Sequence, residues 1–536
     1  MAKLATLIIF AILTVGSGAT STADAADDQG ANLGRFGGTI WYDGLLAVAS
    51  LDLSVTPTGL INYSSYETSD RIPLENVRVH GEAVSFEMTP VVGGLTGRIA
   101  FTGKLDGDRL AGSYRAGKKT GRFDLMRLTS VPAETLGRYF GLYRAGNGHH
   151  MGIFDGGGPA AIVNYDTGVV RSLRPTDGHT FVGGPGLWAY FPAEMTIAFE
   201  AGQGPAESFK IQVKGEAPQI ARRVHFKEEK VTFRNAGIDF AGTLITPDGP
   251  GKHAVVIVVP GDYGSTRDFM RLFGQNFLVA GLGVLLYDGR GGGESGGVAQ
   301  STSFPDLADD VISAVHMLQG KPQVDPKRIG LFGFSNSTWT TVQAASKSND
   351  IAFIVNHSAV AMQPWQQEVS RVELFARGEG LPEREVEQAV RLMRAKFEVG
   401  RTGKGWDAYQ AEVTAAGNAR WVPYLNPPRS LESLQKSSPR MAFDPIPAYK
   451  ALSCPALFIW GANDVYLPAE ENLNRVRSAL SPKQLERTEL VLLRDTDHSM
   501  MEVKTRALRE GNMVKHYAPA YWPTIRDWVR KTTSTP

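Results

Sequence analysis

One serine stands at the junction of an apolar run and a run of small residues. The segment 328–337, RIGLFGFSNS, predicts a buried strand that ends in a sharp turn and leads into a helix over 338–345. Such a turn needs small residues two positions before and after the serine, and Gly333 and Ser337 occupy those places. A hydroxyl at this corner can attack a carbonyl carbon, so Ser335 is the candidate nucleophile. Taken alone, the segment also fits an ordinary serine at a helix N-terminus.

A serine hydroxyl becomes a good nucleophile near neutral pH only when an imidazole removes its proton and a carboxylate fixes the tautomer of that imidazole. The chain offers both groups, because Asp464 and His498 each follow a short apolar run that predicts a buried strand. The carboxyl ends of parallel strands meet at one edge of a sheet, so Ser335, Asp464 and His498 are predicted to converge as a catalytic triad. Asp495 and Asp497 are rival carboxylates beside His498, although they fit better as residues that shape the loop.

These residues require an open sheet of mostly parallel strands to hold them. From about Val231 onward, short runs of Val, Ile, Leu and Phe alternate with amphipathic segments, the pattern of strands covered on both faces. The clearest predicted helix is 306–318, which begins with acidic residues and is followed by Gly320. The predicted strands are 254–259, 283–287, 328–332, 352–356, 456–460 and 490–493. The C-terminal part of the chain is therefore predicted to be of the α/β class.

Two further motifs accompany the serine turn. The first is VVPGD at 258–262, and the second is YDGRGGGES at 287–295. The first stands where α/β-hydrolases have a strand followed by His-Gly, with Pro260 in place of the histidine, and the second matches their Asp-x-Arg-Gly-x-Gly-x-Ser loop. Over about residues 228–532 the chain thus resembles the α/β-hydrolase superfamily, in particular exported hydrolases of the prolyl-oligopeptidase-like and serine-aminopeptidase-like branch.

The resemblance implies roles for residues near the serine. The backbone N–H groups of Asp262 and Asn336 should form the oxyanion hole, and Tyr263 is an alternative donor because Pro260 changes the loop. Asp288 and Arg290 should brace a loop without taking part in catalysis.

An inserted cap is predicted between about 362 and 447, where the alternation of strands pauses. Segments 364–377, 382–399 and 406–416 have the pattern of helices. A lid at this point in the chain would cover the site and exclude water. Its aromatic residues could form the walls of the site or pack the cap helices together, and they are Trp365, Trp406, Tyr409, Trp421 and Tyr424.

The N-terminal part of the chain has the pattern of β structure. Alternating apolar residues and glycine-rich turns over about 33–129 predict an antiparallel sandwich or small barrel, and a second β-rich block follows over about 134–224. The predicted organisation is a signal peptide at 1–25, β-rich modules at 26–130 and 131–226, and an α/β-hydrolase domain at 227–536 with the cap inside it.

The first residues have the features of an export signal. Lys3 precedes an apolar run from Leu4 to Val15, and small residues end in Ala23-Asp24-Ala25. The apolar run is too short for a membrane anchor, since about 20 residues are needed to cross the hydrocarbon core. We therefore expect a secreted or periplasmic protein with no integral membrane span.

Composition excludes several classes of partner. The 536 residues carry 56 Lys and Arg against 55 Asp and Glu, so no overall charge favours nucleic acid or anionic lipid. Cys454 is the single cysteine, so neither an internal disulfide nor a thiolate cluster is possible. The pair His149-His150 lacks companion ligands, and Gly291-Gly292-Gly293 lacks the lysine of a phosphate loop. We expect no metal, no cofactor and no bound nucleotide, and the oligomeric state is left open.

The predicted function is that of a serine hydrolase acting on a small-molecule or small-peptide acyl substrate. Esters or thioesters are favoured, since an alkoxide leaves without prior protonation whereas an amine needs a well-placed acid. A serine peptidase or aminopeptidase is the second possibility, and a binding protein with impaired catalysis is the third. His357 and Ser358 end another predicted strand at the same edge, where they could line the pocket or be satisfied structural residues.

Overall fold

The computed structural model describes residues 33–42, 45–54, 56–62, 72–89, 97–156, 160–187, 191–261, 265–299, 302–417, 419–508, 510 and 514–534. The predicted signal peptide lies outside these residues. The chain divides into two compact units. The first contains the residues up to Asn164, Val169–Arg223 and Arg509–Lys515, and the second contains Tyr165–Gly168, Val224–Leu508 and His516–Pro536.

The first unit opens with an antiparallel sheet, in which nine strands of the described residues follow the order β4-β3-β2-β1-β9-β8-β7-β6-β5. Alternate side chains of a strand point to one face, and the predicted alternation in β2 is confirmed because Ala47, Ala49 and Leu51 are buried. The strands are β1 (Arg35–Tyr42), β2 (Leu45–Asp52), β3 (Thr58–Asn62), β4 (Ile72–Pro73), β5 (Glu75–His80), β6 (Ala83–Met88), β7 (Ile99–Asp106), β8 (Arg109–Ala116) and β9 (Lys119–Arg127).

A short helix and a closed barrel complete the first unit. The barrel has the strand order β10 to β17, with β17 paired back to β10. Aromatic rings fill its core, including Tyr139 stacked on Phe199 with a centroid distance of 4.1 Å. The elements are α1 (Ala133–Gly137), β10 (Gly141–Ala145), β11 (His150–Phe154), β12 (Ala160–Asn164), β13 (Val170–Pro175), β14 (Thr180–Gly183), β15 (Met195–Phe199), β16 (Ser208–Val213) and β17 (Gln219–Arg223). The two segments predicted to be β-rich thus form β structure, the first a nine-stranded sheet in the described residues and the second a closed barrel.

The second unit is built on a mixed sheet of eight strands in the described residues, in the order β18-β19-β21-β20-β22-β23-β24-β25. The strands are β18 (Phe226–Asn235), β19 (Ile238–Pro247), β20 (His253–Val258), β21 (Gly283–Tyr287), β22 (Val324–Phe334), β23 (Phe353–His357), β24 (Ala456–Gly461) and β25 (Thr488–Leu493). The two pairings that involve β19 are antiparallel and the others are parallel. Five consecutive residues of β21 and five of β23 are buried, as expected for strands covered on both faces. The predicted α/β class is confirmed.

Helices connect these strands. They are α2 (Arg271–Val279), α3 (Phe304–Gln319), α4 (Ser337–Lys347), α5 (Pro364–Gly378), α6 (Glu383–Thr402), α7 (Trp406–Ala416), a 3₁₀ turn (Val422–Leu425), α8 (Leu431–Met441), α9 (Ile446–Lys450), α10 (Ala469–Ala479), α11 (Pro482–Leu485) and α12 (Tyr521–Ser534). The predicted cap corresponds to the helices from α5 to α9, which lie between β23 and β24 in the chain. Among the helices of the described residues, none has both the length and the apolar character that crossing a membrane requires.

Candidate active site

Ser335 occupies a sharp turn between β22 and α4. Its φ angle is +54°, a left-handed conformation that non-glycine residues rarely adopt. The turn packs closely against its neighbours, since a Cβ on Gly333 would lie 2.8 Å from both Asn356 Oδ1 and a methyl carbon of Thr341. The Ser335 N–H donates to the carbonyl oxygen of His357 at 2.9 Å. The strand, turn and helix predicted around this serine are therefore present, with the serine in the strained conformation that such a turn imposes.

Ser337 stands where this kind of turn has its second glycine. Its side chain is buried, and its hydroxyl accepts from the Phe334 N–H at 2.7 Å and donates to the Phe334 carbonyl oxygen at 3.0 Å. The additional side chain therefore has hydrogen-bond partners inside the turn.

The three side chains predicted to converge are in hydrogen-bond contact. His498 Nε2 lies 3.0 Å from Ser335 Oγ, and His498 Nδ1 lies 2.7 Å from Asp464 Oδ2. A carboxylate can only accept, so Nδ1 carries the proton, and Nε2 is left to accept from the serine hydroxyl. His498 is 1% exposed and Asp464 is 0% exposed.

The loop after β24 holds the carboxylate of Asp464 in place. Its Oδ1 accepts from the backbone N–H groups of Tyr466 at 2.7 Å and Leu467 at 3.0 Å, while Oδ2 faces the imidazole. The rings of Tyr466 and Phe334 lie against His498, with centroid distances of 4.8 Å and 5.2 Å. Ring faces beside a hydrogen bond between a carboxylate and an imidazole exclude water and strengthen that bond. Sequence analysis did not single out Tyr466, although it follows the predicted acid by only two positions.

The two rival carboxylates lie in a different loop, the one after β25 that carries His498. Asp495 is exposed. Asp497 is buried, and its Oδ1 accepts from the N–H groups of Ser499 at 2.8 Å and Met501 at 2.9 Å. Burial, together with the nearby Asp464 carboxylate, raises the pKa of Asp497 to about 6. Asp497 thus closes the turn around His498, while Asp464 makes the contact with the imidazole.

His357 and Ser358, at the end of β23, are buried beneath His498. His357 Nε2 lies 2.9 Å from the carbonyl oxygen of His498, and the Ser358 hydroxyl donates to the same oxygen at 2.8 Å. Tyr521 Oη lies 2.7 Å from the other ring nitrogen of His357. Of the two predicted roles, the structure shows a satisfied structural histidine. In the sequence, its position at the end of a predicted parallel strand indicated that it would lie near the site.

Of the candidate oxyanion-hole residues, Asn336 is among the described residues. Asp262 and Tyr263 lie outside the described residues. Asn336 has helical backbone angles at the start of α4, with φ −63° and ψ −25°. A Cβ on Gly261 would lie 3.1 Å from Asn336 Oδ1, so the chain leaving β20 passes beside the residue that follows Ser335. Donation to an oxyanion by Asp262 and Asn336 stays a prediction.

Asp288 and Arg290 make the bracing contacts that the resemblance implied. Asp288 accepts from the Arg267 backbone N–H at 2.8 Å and from its guanidinium at 2.7 Å. Arg290 forms two hydrogen bonds with Asp310, at 2.6 Å and 2.8 Å. Asn235 donates to the same carboxylate at 2.7 Å, so the pair joins the loop after β21 to α3 and β18.

The five cap aromatics that the sequence singled out lie in or beside one hydrophobic core of the cap. Tyr409 and Trp421 are buried in a core shared by the cap helices, and Trp365, Trp406 and Tyr424 pack at its edge. Phe375 of α5 contacts Tyr466 with a centroid distance of 4.9 Å, and Gln367 donates to the Tyr466 carbonyl oxygen at 2.9 Å. Helix α5 thus reaches the tyrosine that covers His498.

Residues that could hold a metal ion do not cluster in the described part of the chain, where no group of three or more His, Cys, Asp or Glu side chains has suitable geometry. His149 Nδ1 lies 3.2 Å from the amide nitrogen of Asn147 and 3.3 Å from that of Asn164.

Comparison with known proteins gives a family match over the second unit. The family model of the X-Pro dipeptidyl-peptidase (S15 family) matches residues 236–499. An uncharacterized 31.7 kDa protein from Escherichia coli is 29% identical over 132 residues, which cover 25% of this chain and 46% of that protein. The thiohydrolase apmlB of Arthrinium phaeospermum is 31% identical over 129 residues, covering 24% of this chain and 41% of that protein. The matches span about half the length of these curated relatives or less.

Solved structures that align with part of this chain include an esterase from Pyrococcus furiosus. It is 19% identical, with a TM-score of 0.37, and the alignment covers 58% of this chain and 91% of the esterase. Est1E from Butyrivibrio proteoclasticus, solved with ferulic acid, shows 14% identity and a TM-score of 0.38 over 57% of this chain and 100% of Est1E.

Proposed function

We propose that this protein, whose residues 236–499 match the family model of the X-Pro dipeptidyl-peptidase (S15 family), is a serine hydrolase of the α/β-hydrolase fold that cleaves carboxylic ester or thioester bonds through an acyl-enzyme on Ser335. The observation that carries the proposal is the series of contacts from hydroxyl to imidazole to carboxylate, at 3.0 Å and 2.7 Å. In such an arrangement the carboxylate orients the imidazole and stabilises the imidazolium that forms when the imidazole takes the serine proton.

The proposed reaction begins with attack of Ser335 Oγ on the substrate carbonyl while His498 Nε2 takes the hydroxyl proton. Asp464 stabilises the resulting imidazolium through Nδ1. The backbone N–H groups of Asp262 and Asn336 are the proposed donors to the tetrahedral oxyanion. His498 then returns the proton to the leaving alkoxide or thiolate. Water next attacks the acyl-enzyme while His498 Nε2 takes its proton, and that proton passes to Ser335 Oγ as the carboxylic acid is released.

Chemistry favours esters and thioesters as substrates. Their leaving groups depart without prior protonation, so the reaction asks for no acid placed at the leaving group before it departs. The match to the thiohydrolase apmlB over 24% of the chain supports this class. Release of p-nitrophenol from short and long p-nitrophenyl acyl esters, compared with release of thiol from the matching thioesters, measures the preference.

A serine peptidase acting on small peptides is the second candidate function. It is supported by the match of residues 236–499 to the X-Pro dipeptidyl-peptidase family model. An exopeptidase needs a group that binds the peptide terminus, in addition to the triad. Hydrolysis of aminoacyl and dipeptidyl p-nitroanilides tests this alternative, and faster turnover of these amides than of the esters would replace the first proposal.

Labelling with a fluorophosphonate separates catalysis from a binding role. We expect the intact protein to be labelled and Ser335→Ala to remain unlabelled. Ser346→Ala is the matched control, because Ser346 lies on the helix that follows the turn and its hydroxyl donates to the Gln343 carbonyl oxygen at 2.8 Å, away from His498. Absence of labelling in the folded intact protein would favour a binding protein without turnover.

We also propose that the protein is exported, on the basis of the basic start, the apolar run from Leu4 to Val15 and the small residues that end at Ala25. The expected result is a mature N-terminus at Ala26 when the protein is recovered from the periplasm or medium and sequenced. Recovery of the full-length chain from the cytoplasm alone would contradict export.

A further inference from the structure

One backbone carbonyl group next to the reacting atoms has two buried side-chain partners. The carbonyl oxygen of His498 lies 2.9 Å from His357 Nε2 and 2.8 Å from the Ser358 hydroxyl. A carbonyl oxygen has two lone pairs, so both acceptor positions of this oxygen are used. His357 and Ser358 are each 0% exposed, and bonds in such a site are stronger than in water.

The partners of His357 determine its protonation. The carbonyl oxygen of His498 can only accept, so His357 Nε2 carries a hydrogen. The Tyr521 hydroxyl, 2.7 Å from His357 Nδ1, then donates to that nitrogen. The neutral ring satisfies both partners without a charge, and burial lowers the pKa of His357 to about 3. This imidazole therefore stays neutral through the working range of the triad and cannot replace His498 as the base.

His357 also contacts the nucleophile through its backbone. Its carbonyl oxygen accepts from the Ser335 N–H at 2.9 Å. Ser358 has a φ angle of +51° and its N–H donates to the Ile459 carbonyl oxygen at 2.7 Å, which ties the end of β23 to β24. The same two residues thus join the serine turn, the strand before Asp464 and the backbone of His498.

We propose that His357 and Ser358 are positioning residues that fix the backbone of His498, so that its imidazole stays in line with Ser335. The inference rests on the proposed serine-hydrolase function. Asp464 orients the ring from one side through Nδ1, whereas His357 and Ser358 hold the peptide group from the other. Tyr521, from α12, completes the arrangement by fixing His357 itself.

The test compares variants that keep or remove these bonds. His357→Leu removes both ring contacts, and Ser358→Ala removes the hydroxyl. His357→Gln can place an amide N–H at the reach of Nε2 and an amide oxygen near the Tyr521 hydroxyl. Tyr449→Phe is the control for Ser358→Ala, because it too removes a buried hydroxyl that donates to a backbone carbonyl oxygen, that of Val360 at 3.2 Å, outside this network.

We expect His357→Leu and Ser358→Ala to lower kcat roughly 10- to 100-fold at nearly unchanged KM, since small displacements of a catalytic group have effects of this size. The midpoint of His498 titration, followed by ¹⁵N NMR of the imidazole, should move in the same two variants. His357→Gln should restore most of kcat, and Tyr449→Phe should leave kcat and the titration unchanged. If His357→Leu does not fold, Ser358→Ala and His357→Gln carry the comparison.

The outcomes distinguish this inference from the proposed function. If the intact protein shows no labelling that depends on Ser335, the hydrolase proposal fails, whereas the NMR titration still reports on whether the network holds His498. If the intact protein is active and both Ser358→Ala and His357→Leu lose thermal stability but keep kcat and the titration midpoint, the two residues have a purely structural role and this inference is overturned.

Discussion

The hydroxyl of Ser337 is bonded to both backbone polar groups of Phe334, the residue before Ser335. It accepts from the N–H at 2.7 Å and donates to the carbonyl oxygen at 3.0 Å. In turns of this kind the position is commonly glycine, which has no side chain that could make such bonds. The serine therefore fills the turn with a hydroxyl that supports the strand end carrying the candidate nucleophile.

Ser337→Ala should weaken this turn. Removing the hydroxyl takes a partner from the buried N–H of Phe334, at a typical loss of about 1–3 kcal/mol in the free energy of unfolding. We also expect kcat to fall roughly 10-fold, because Ser335 is displaced relative to His498. Calorimetry and ester hydrolysis measure the two effects. Ser313→Ala is the control, since this hydroxyl donates to the Asp309 carbonyl oxygen at 3.0 Å on a helix away from the turn. Equal behaviour of the two variants would show that the Ser337 contacts do not matter.

Asp464→Asn should reduce kcat by about 10⁴ with little change in fold, because an amide at this place favours the wrong tautomer of His498. The side-chain oxygen of asparagine can still accept from the N–H groups of Tyr466 and Leu467, which keeps the loop in place. Asp495→Asn provides the same substitution at an exposed position of the His498 loop and should leave kcat unchanged. A large loss of activity in Asp495→Asn together with an active Asp464→Asn would show that Asp495, and not Asp464, orients His498.

Asp497 should make the stability of the protein depend on pH. Its pKa is raised to about 6 from the ordinary 3.8, so the folded state binds a proton more tightly than the unfolded chain in the window between these values. The free energy of unfolding should therefore fall as pH rises through this window, and the loss should be complete above it.

Asp497→Asn removes the buried charge while its side-chain oxygen can still accept from Ser499 and Met501. We expect the variant to be more stable than the parent above about pH 7, by a few kcal/mol at most, and similar to it near about pH 4. Urea unfolding at both pH values measures the difference. An equal effect at the two pH values would show that the carboxyl group does not titrate in this range.

Cys454 should be unreactive in the folded protein. Burial raises the pKa of its thiol to about 12, so the thiolate that reacts with alkylating reagents is scarce at neutral pH. Iodoacetamide should therefore modify Cys454 far faster in urea than in buffer, as mass spectrometry can show. Cys454→Ser should keep full esterase activity. Rapid labelling of the native protein that also abolishes activity would place the thiol at the site.

The parts of the site that sequence predicted are those whose positions follow from strand ends. Ser335, Asp464 and His498 come after separate apolar runs, and the edge rule for parallel strands was enough to bring them together. Long runs of buried residues also made the strands themselves predictable, as in β21 and β23.

Other features depend on packing that has no local sequence pattern. Tyr521 lies in the last helix of the described chain, and nothing in its neighbourhood indicates a bond to His357. Helix α8 contains Pro439 in its last turns, a residue that disfavours helix interiors, so the periodicity analysis did not predict it. The hydrogen bonds of Ser337 depend on the positive φ of Ser335, which a five-residue motif suggests but does not specify.

Strand β18 forms one border of the eight-stranded sheet, and its outer side has no partner strand among the described residues. Its first half carries four charged residues in succession, Lys227, Glu228, Glu229 and Lys230. Strand side chains point to the two faces of a sheet, so a second copy that extended the sheet here would have to place its own side chains beside these four charges. We therefore expect this border to resist edge-to-edge pairing, which an uncharged strand of the same length would invite.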